Sequence, residues 1–202
     1  MEEKEKGIIL GATEVFMRLG IKSVNMDDIS RQLGISKKTL YKYVSDKNDL
    51  VHKSVLIMMD LEDEAIEDIQ SRDLNAIDEN MEIMKHAMGM LNNMHPSIMF
   101  DMEKYHPTIL RSMMDNRHSK IYDCVMSNLK QGITEGLYRK NLNADVIAKM
   151  SINSMDVILD KTEIHIEGIS FSEKFKEYFR YHIRGIASEK GITYLKENYS
   201  KS

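Results

Sequence analysis

The densest run of side chains able to do chemistry is SKKTLYKYVSDK, from Ser36 to Lys47. Three ammonium groups, Lys37, Lys38 and Lys42, fall within six residues, interleaved with the hydroxyls of Thr39 and Tyr41. Ammonium groups pair with phosphate, and hydroxyls bond to phosphate oxygens or base edges, so the chemistry on offer is nucleic-acid binding. Other chemistries find less to work with. The seven histidines, His52, His86, His95, His106, His118, His165 and His182, never stand three or four apart, so no helix presents a two-histidine metal face. Asp115 with His118, and Glu82 with His86, do have helical spacing, which a surface ion pair explains. Cys124 has no histidine at contact spacing and reads as a buried structural thiol rather than a nucleophile. There is no glycine-rich phosphate loop and no serine in a nucleophile-elbow context. The sequence therefore leads us to expect no catalytic residue, no metal and no cofactor.

A lysine run alone is usually a solvated helix face, so its meaning depends on the elements that carry it. Asn25 can cap a short helix from Met26, with Asp28 completing a capping box, and Gly34 can take the left-handed conformation that stops it. Ser36 caps a second short helix, Lys37 to about Tyr43, after a turn of only Gly34, Ile35 and Ser36. So tight a turn predicts two helices that cross steeply, a helix-turn-helix. Ser45 is expected to cap a third helix, with Asp46 and Asp49 complementing its dipole and Lys47 in its first turn. Ile29, Leu33, Ile35, Leu40 and Val44 form the inward set, which leaves Lys37, Lys38, Thr39, Tyr41 and Lys42 outward.

Residues 8–51, IILGATEVFMRLGIKSVNMDDISRQLGISKKTLYKYVSDKNDLV, resemble the N-terminal domain of the TetR family of bacterial transcriptional regulators. The resemblance implies that Ser36 to Lys42 form the recognition helix with its approach, and that Tyr41 and Lys47 correspond to phosphate-contacting positions. With Asn25 at the first cap, the expected DNA-binding set is Asn25, Ser36, Lys37, Lys38, Thr39, Tyr41, Lys42 and Lys47. Asn25 stands where threonine is common in the family, Lys38 where glycine is common, and Val44 where phenylalanine is common. Over residues 75–202 the resemblance is one of length and helical layout only.

The net charge of −4 opposes a nucleic-acid partner only until it is resolved along the chain. Residues 1–50 hold nine Lys/Arg against eight Asp/Glu, and from Ser36 to Lys53 five lysines face two aspartates. A phosphate backbone senses that patch within a Debye length rather than the total. No apolar segment approaches a membrane span, the charged MEEKEKG start lacks an export signal, and the single cysteine fits a reducing cytoplasm. The expectation is a cytoplasmic protein with no membrane partner.

Taken in order, Ile8, Ala12, Val15, Phe16 and Leu19 repeat at helical spacing up to a stop at Gly20. From Ser45 a long pattern runs to about Gln70, and Ser71 to Asn75 is the first polar break. Twelve of the seventeen methionines lie between Met58 and Met126. Ile77, Met81, Met84, Met88 and Leu91 make one stripe and Ile83, Ala87, Met90 and Met94 a second, which predicts a central helix. Pro96 and Pro107 then set off a short piece with Phe100 and Met102 from a long helix with Met114, Tyr122 and Val125. Thioethers on flexible chains suit either a compliant core or an adaptable apolar pocket. The family resemblance implies an effector chamber here, for which Met84, Met88, Leu91, Phe100, Met114 and Tyr122 are the expected lining. Two helices follow, from Asn143 or Ala144 and from Ser170, the second with Phe171, Phe175, Tyr178, Phe179, His182, Ile183 and Ile186. A two-fold partner supplied by a four-helix bundle suits a palindromic site, and the resemblance implies the same, with Val157, Phe175, Phe179 and Ile183 at the dimer interface.

The expected fold is all-α: an N-terminal three-helix helix-turn-helix domain over residues 1–50, and a larger helical effector-binding and dimerisation domain over 51–202, about nine helices in all. The expected function is a homodimeric regulator, most simply a repressor, released from a palindromic double-stranded DNA operator by a small apolar effector. A helical scaffold that binds no specific DNA and a small helical enzyme using the methionine-rich cavity are the competing classes.

Overall fold

The computed structural model describes residues 2–159 and 169–199, which form ten helices and no strand. His165 lies outside the described residues. The helices are α1 (Glu3–Leu19), α2 (Met26–Gln32), α3 (Lys37–Leu40), α4 (Lys47–Gln70), α5 (Ala76–Asn92), α6 (Ile98–Tyr105), α7 (Pro107–Thr134), α8 (Ala144–Leu159), α9 (Phe171–Ile186) and α10 (Glu189–Tyr199). They pack as two compact units: the chain up to Ala65 together with Asn93–Asn116, and Ile66–Asn92 together with the chain from Arg117.

The first unit buries Ile9, Ala12, Ile29, Leu40, Leu50 and Val51 essentially completely, joined by Ile98 and Met102 of α6. Each fully buried aliphatic side chain contributes about 1.5–3 kcal/mol, which lets helices as short as α2 and α3 persist though neither would form alone. Gly11 marks where α1 meets α2, because a Cβ there would sit 2.5 Å from the Leu33 side chain. Gly20 closes α1 at φ +83, and His95 donates its N–H to Met17 O at 2.8 Å, so the end of α1 is met by the segment leading into α6. Leu19, expected on the buried stripe, is 36% exposed, and fully buried Ile9 takes a place in the core instead.

The second unit is built on Ala76, Ile77 and Met81 of α5, Leu129 of α7, Leu137, Tyr138, and Phe179, Ile183 and Ile186 of α9. Tyr138 fills the space over Gly132, where a Cβ would lie 2.1 Å from its ring. Its hydroxyl is 2.9 Å from both Ala76 O and Asn128 Oδ1, and Asn128 donates to Glu79 Oε1 at 2.8 Å, so these buried polar groups satisfy one another. The α5 stripe is deeply buried only at its start; Met84, Met88, Leu91 and the second stripe are half-buried, so α5 is not central along its whole length.

One helix escaped the sequence reading. Ser188 starts α10, its Oγ accepting the Gly191 N–H at 3.1 Å, and the Tyr194 and Tyr199 hydroxyls donate to Asp78 at 2.7 and 2.6 Å. Those anchors lie more than a hundred residues from Asp78 in sequence, and the helix has few apolar positions of its own.

Candidate nucleic-acid interface

The helix-turn-helix rests on caps whose partners are all local. Asn25 Oδ1 accepts the N–H groups of Asp27 and Asp28 at 2.9 and 3.0 Å, and Asp28 returns a carboxylate oxygen to the Asn25 N–H at 3.1 Å. Such a cap stabilises a helix by about 1 kcal/mol. At the other end Ile35 N–H donates to Ser30 O at 3.0 Å and Gly34 N–H to Arg31 O at 3.2 Å, a Schellman closure made possible by Gly34 at φ +63. Ser36 Oγ then accepts the Thr39 N–H at 3.0 Å and starts α3.

Two local expectations need correcting. The second helix ends at Leu40 rather than near Tyr43, because Lys42 and Tyr43 donate three residues back, to Thr39 O and Leu40 O, and the chain continues as a tight turn. The start of α4 is capped by Asp46, whose Oδ1 accepts the Asp49 N–H at 2.8 Å; the Ser45 N–H instead donates to Asp49 Oδ2 at 2.8 Å. A carboxylate one residue on outcompetes the serine because it carries full charge toward the helix N-terminus.

Of the residues expected to meet DNA, Asn25, Ser36, Lys37, Lys38, Tyr41 and Lys42 are exposed and Thr39 is half-buried. Leu40 and Val44 point inward at 0% and 3% exposure, so α3 and its following turn have one buried and one free face. The three ammonium groups are not equivalent. Lys37 is paired with Asp27 of α2 at 3.0 Å, which raises its pKa, whereas Lys38 and Lys42 make no ion pair among the described residues. Lys47 lies apart from them, half-buried, with its ammonium donating to Val24 O at the foot of α2. Burial, and then the neighbouring Lys22, lower its pKa, while Asp101 and Asp28 oppose that shift. Lys47 thus fastens the first turn of α4 beside the Asn25 cap.

The six expected effector residues divide between the units. Phe100 and Met114 belong to the first, Met84, Met88, Leu91 and Tyr122 to the second. Phe100 is 55% exposed with the Lys104 ammonium 5.3 Å from its ring centre. Tyr122 donates its hydroxyl to Asp145 of α8 at 2.8 Å. Of the expected dimer seam, Phe175, Phe179 and Ile183 are 4%, 9% and 3% exposed within the single chain, where α9 packs against α5 and α8. Only Val157 of that set is free, 40% exposed on α8 together with Val146 and Met150.

The expected surface pairs rearrange as well. His118 pairs with Asp156 of α8 at 2.9 Å rather than with Asp115, and Glu82 takes Lys85 and Arg72 rather than His86. Burial pushes the Cys124 thiol up to about 11, so it stays protonated and unreactive near neutrality. No helix among the described residues is long and apolar enough to cross a membrane.

A polar network missed by the sequence reading joins α6 to the approach of the helix-turn-helix. Asp101, 4% exposed, accepts the Lys22 N–H at 2.9 Å and the Ser97 hydroxyl at 3.1 Å, and Ser97 Oγ is 3.0 Å from His95 Nδ1. His106 Nδ1 lies 2.7 Å from Asn48 Oδ1 in the first turn of α4. An isolated aspartate among ordinary helical residues carries no signal for a partner 79 positions away.

Residues 8–53 match the sequence profile described as bacterial regulatory proteins, tetR family. No curated protein matches the sequence. Among solved structures, the chain resembles a transcriptional regulator from Cytophaga hutchinsonii ATCC 33406 with 18% identity and a TM-score of 0.72, over 93% of this chain and 100% of that one. It also resembles a gamma-butyrolactone receptor, an ArpA-like protein, with 17% identity and a TM-score of 0.58 over 96% and 93% of the two chains. AibR in complex with isovaleryl coenzyme A and operator DNA is similar at 18% identity and a TM-score of 0.57, over 89% of this chain and 97% of that one. At such identities the likeness is one of fold.

Proposed function

We propose that the chain, whose residues 8–53 match the profile of the tetR family of bacterial regulatory proteins, is a homodimeric, ligand-responsive repressor of transcription. The observation that carries the reading is the free face of α3 and its turn. Lys38, Tyr41 and Lys42 stand exposed there, on a helix whose opposite side is locked into the core by Leu40. Exposed lysines on a helix anchored by Leu40 can neutralise phosphates and bring Thr39 and Lys38 to base edges in the major groove. Asn25 and Lys47, brought together at the foot of α2, would flank that helix as backbone contacts.

A palindromic operator needs a two-fold protein. For that role we assign the exposed row Val146, Met150 and Val157 on α8 and the outward face of α9 bearing Tyr181, rather than the buried phenylalanines. Helices α8 and α9 pack on each other, and a pair from each subunit would complete a four-helix bundle. An apolar effector is supported by the half-buried methionines Met84 and Met88 of α5. To release DNA such a ligand must bind the DNA-incompetent state more tightly than the competent one, and a coupling of about 1–3 kcal/mol would change operator affinity roughly 5–150-fold.

The test is a footprint over the DNA flanking the protein's own gene, repeated with a panel of apolar compounds. The reading expects a two-fold protected site whose protection is lost with at least one compound that also binds calorimetrically. Protection of a single asymmetric half-site would contradict the dimer, and a bound compound that leaves the footprint unchanged would contradict the effector role.

A further inference from the structure

The end of α6 presents an exposed group of cations and aromatic rings that the helix-turn-helix does not account for. Tyr105 is 40% exposed and Phe100 is 55% exposed. The Lys22 ammonium sits 4.6 Å from the centre of the Tyr105 ring, and the Lys104 ammonium lies 5.3 Å from the Phe100 ring and 5.5 Å from that of Tyr105. Lys37, Lys53, Lys85 and Lys149 each have a carboxylate partner, but neither Lys22 nor Lys104 makes an ion pair among the described residues. The Tyr105 hydroxyl likewise makes no hydrogen bond among them.

This patch belongs to the same packed unit as the helix-turn-helix. Asp101 grips the Lys22 N–H at 2.9 Å, three residues before the Asn25 cap, and His106, next to Tyr105, meets Asn48 at 2.7 Å, next to Lys47. Both ends of the patch therefore run into positions already read as backbone contacts. Asp101 is buried and occupied in that grip, so the exposed opposing charge in this turn is Glu103. Two ammonium groups without an ion pair among the described residues, and a phenol next to the His106 that meets the first turn of α4, have the chemistry of a phosphate site.

We propose that Lys22, Lys104 and Tyr105 form an accessory phosphate-binding patch that extends the DNA interface from the helix-turn-helix onto α6. The proposal rests on the DNA-binding reading and adds to Lys22, within residues 8–53, a contact region on α6 outside them. The patch reads no bases, because contacts to phosphate carry no sequence information directly. It contributes affinity and salt dependence.

The experiment measures binding to the footprinted operator and to an unrelated duplex at several salt concentrations, for the parent, Lys22→Ala, Lys104→Ala and Tyr105→Phe. Each lysine variant is expected to flatten the dependence of log affinity on log salt by about one unit, equally on both duplexes. Tyr105→Phe is expected to weaken binding without changing the slope. Both lysines are exposed, so melting temperatures should match the parent's, and Lys104→Arg should restore the slope. If the parent binds operator and both alanine variants keep its slope and affinity, the patch is overturned while the helix-turn-helix reading stands. If the parent binds no duplex, both fall.

Discussion

Lys37 and Lys38 are neighbours in sequence and differ in what they are free to do. Asp27 already holds the Lys37 ammonium at 3.0 Å, so bringing it to a phosphate means breaking one pair to make another, whereas Lys38 has no such partner among the described residues. Lys38→Ala is expected to flatten the salt dependence of operator binding by about one unit, and Lys37→Ala by less. Equal slopes for the two variants would show that the Asp27 pair opens on DNA. A second residue-scale expectation concerns protons. His182, half-buried beside Tyr178 with ring centres 5.8 Å apart, has its pKa lowered by burial, so the folded chain holds it neutral. As pH falls below about 6.5 the unfolded chain takes up that proton first. His182 therefore costs nothing at higher pH, and the folded state loses stability as pH drops through that value. The melting temperature should fall between pH 7.5 and 5.5, and His182→Gln should lose part of that fall; an unchanged pH dependence would show that burial of this ring does not matter. His106, whose pKa is lowered by burial and by Lys47, would account for further loss in the same direction.

At the scale of elements, α9 separates two meanings of an amphipathic helix. Phe175, Phe179 and Ile183 repeat as a seam should, and the structure spends that seam inside the chain, leaving Val146, Met150 and Val157 of α8 exposed. Phe179→Glu would bury an unpaired charge in the core and is expected to unfold the protein. Met150→Glu is expected to yield a monomer by sedimentation with helical content kept. A Met150→Glu protein that remains dimeric would move the interface off α8. The periodicity of α9 was legible in the sequence, but which partner its apolar face meets was not, because a stripe buried against α5 and one buried against a second subunit have the same spacing. The caps at Asn25, Ser36 and Ser170 were legible for the opposite reason: each closes on a residue three positions away. Ser45 was misjudged because Asp46 beside it is an equally local and stronger acceptor. The Asp101 grip on Lys22 and the anchoring of α10 on Asp78 join residues far apart in the chain, and no local pattern announces such a contact.

For the whole molecule, α4 is one unbroken helix from Lys47 in the first unit to Gln70 in the second. An acidic protein with net charge −4 can use that end on DNA because the potential that matters is local. The central question is whether the free face of α3 reads sequence. Selection of bound duplexes from a random-sequence pool, with the purified full chain, asks this most directly. The expected result is enrichment of a near-palindromic site with half-sites about 34–36 Å apart, or a multiple of that spacing. A pool that stays random after repeated rounds would contradict it.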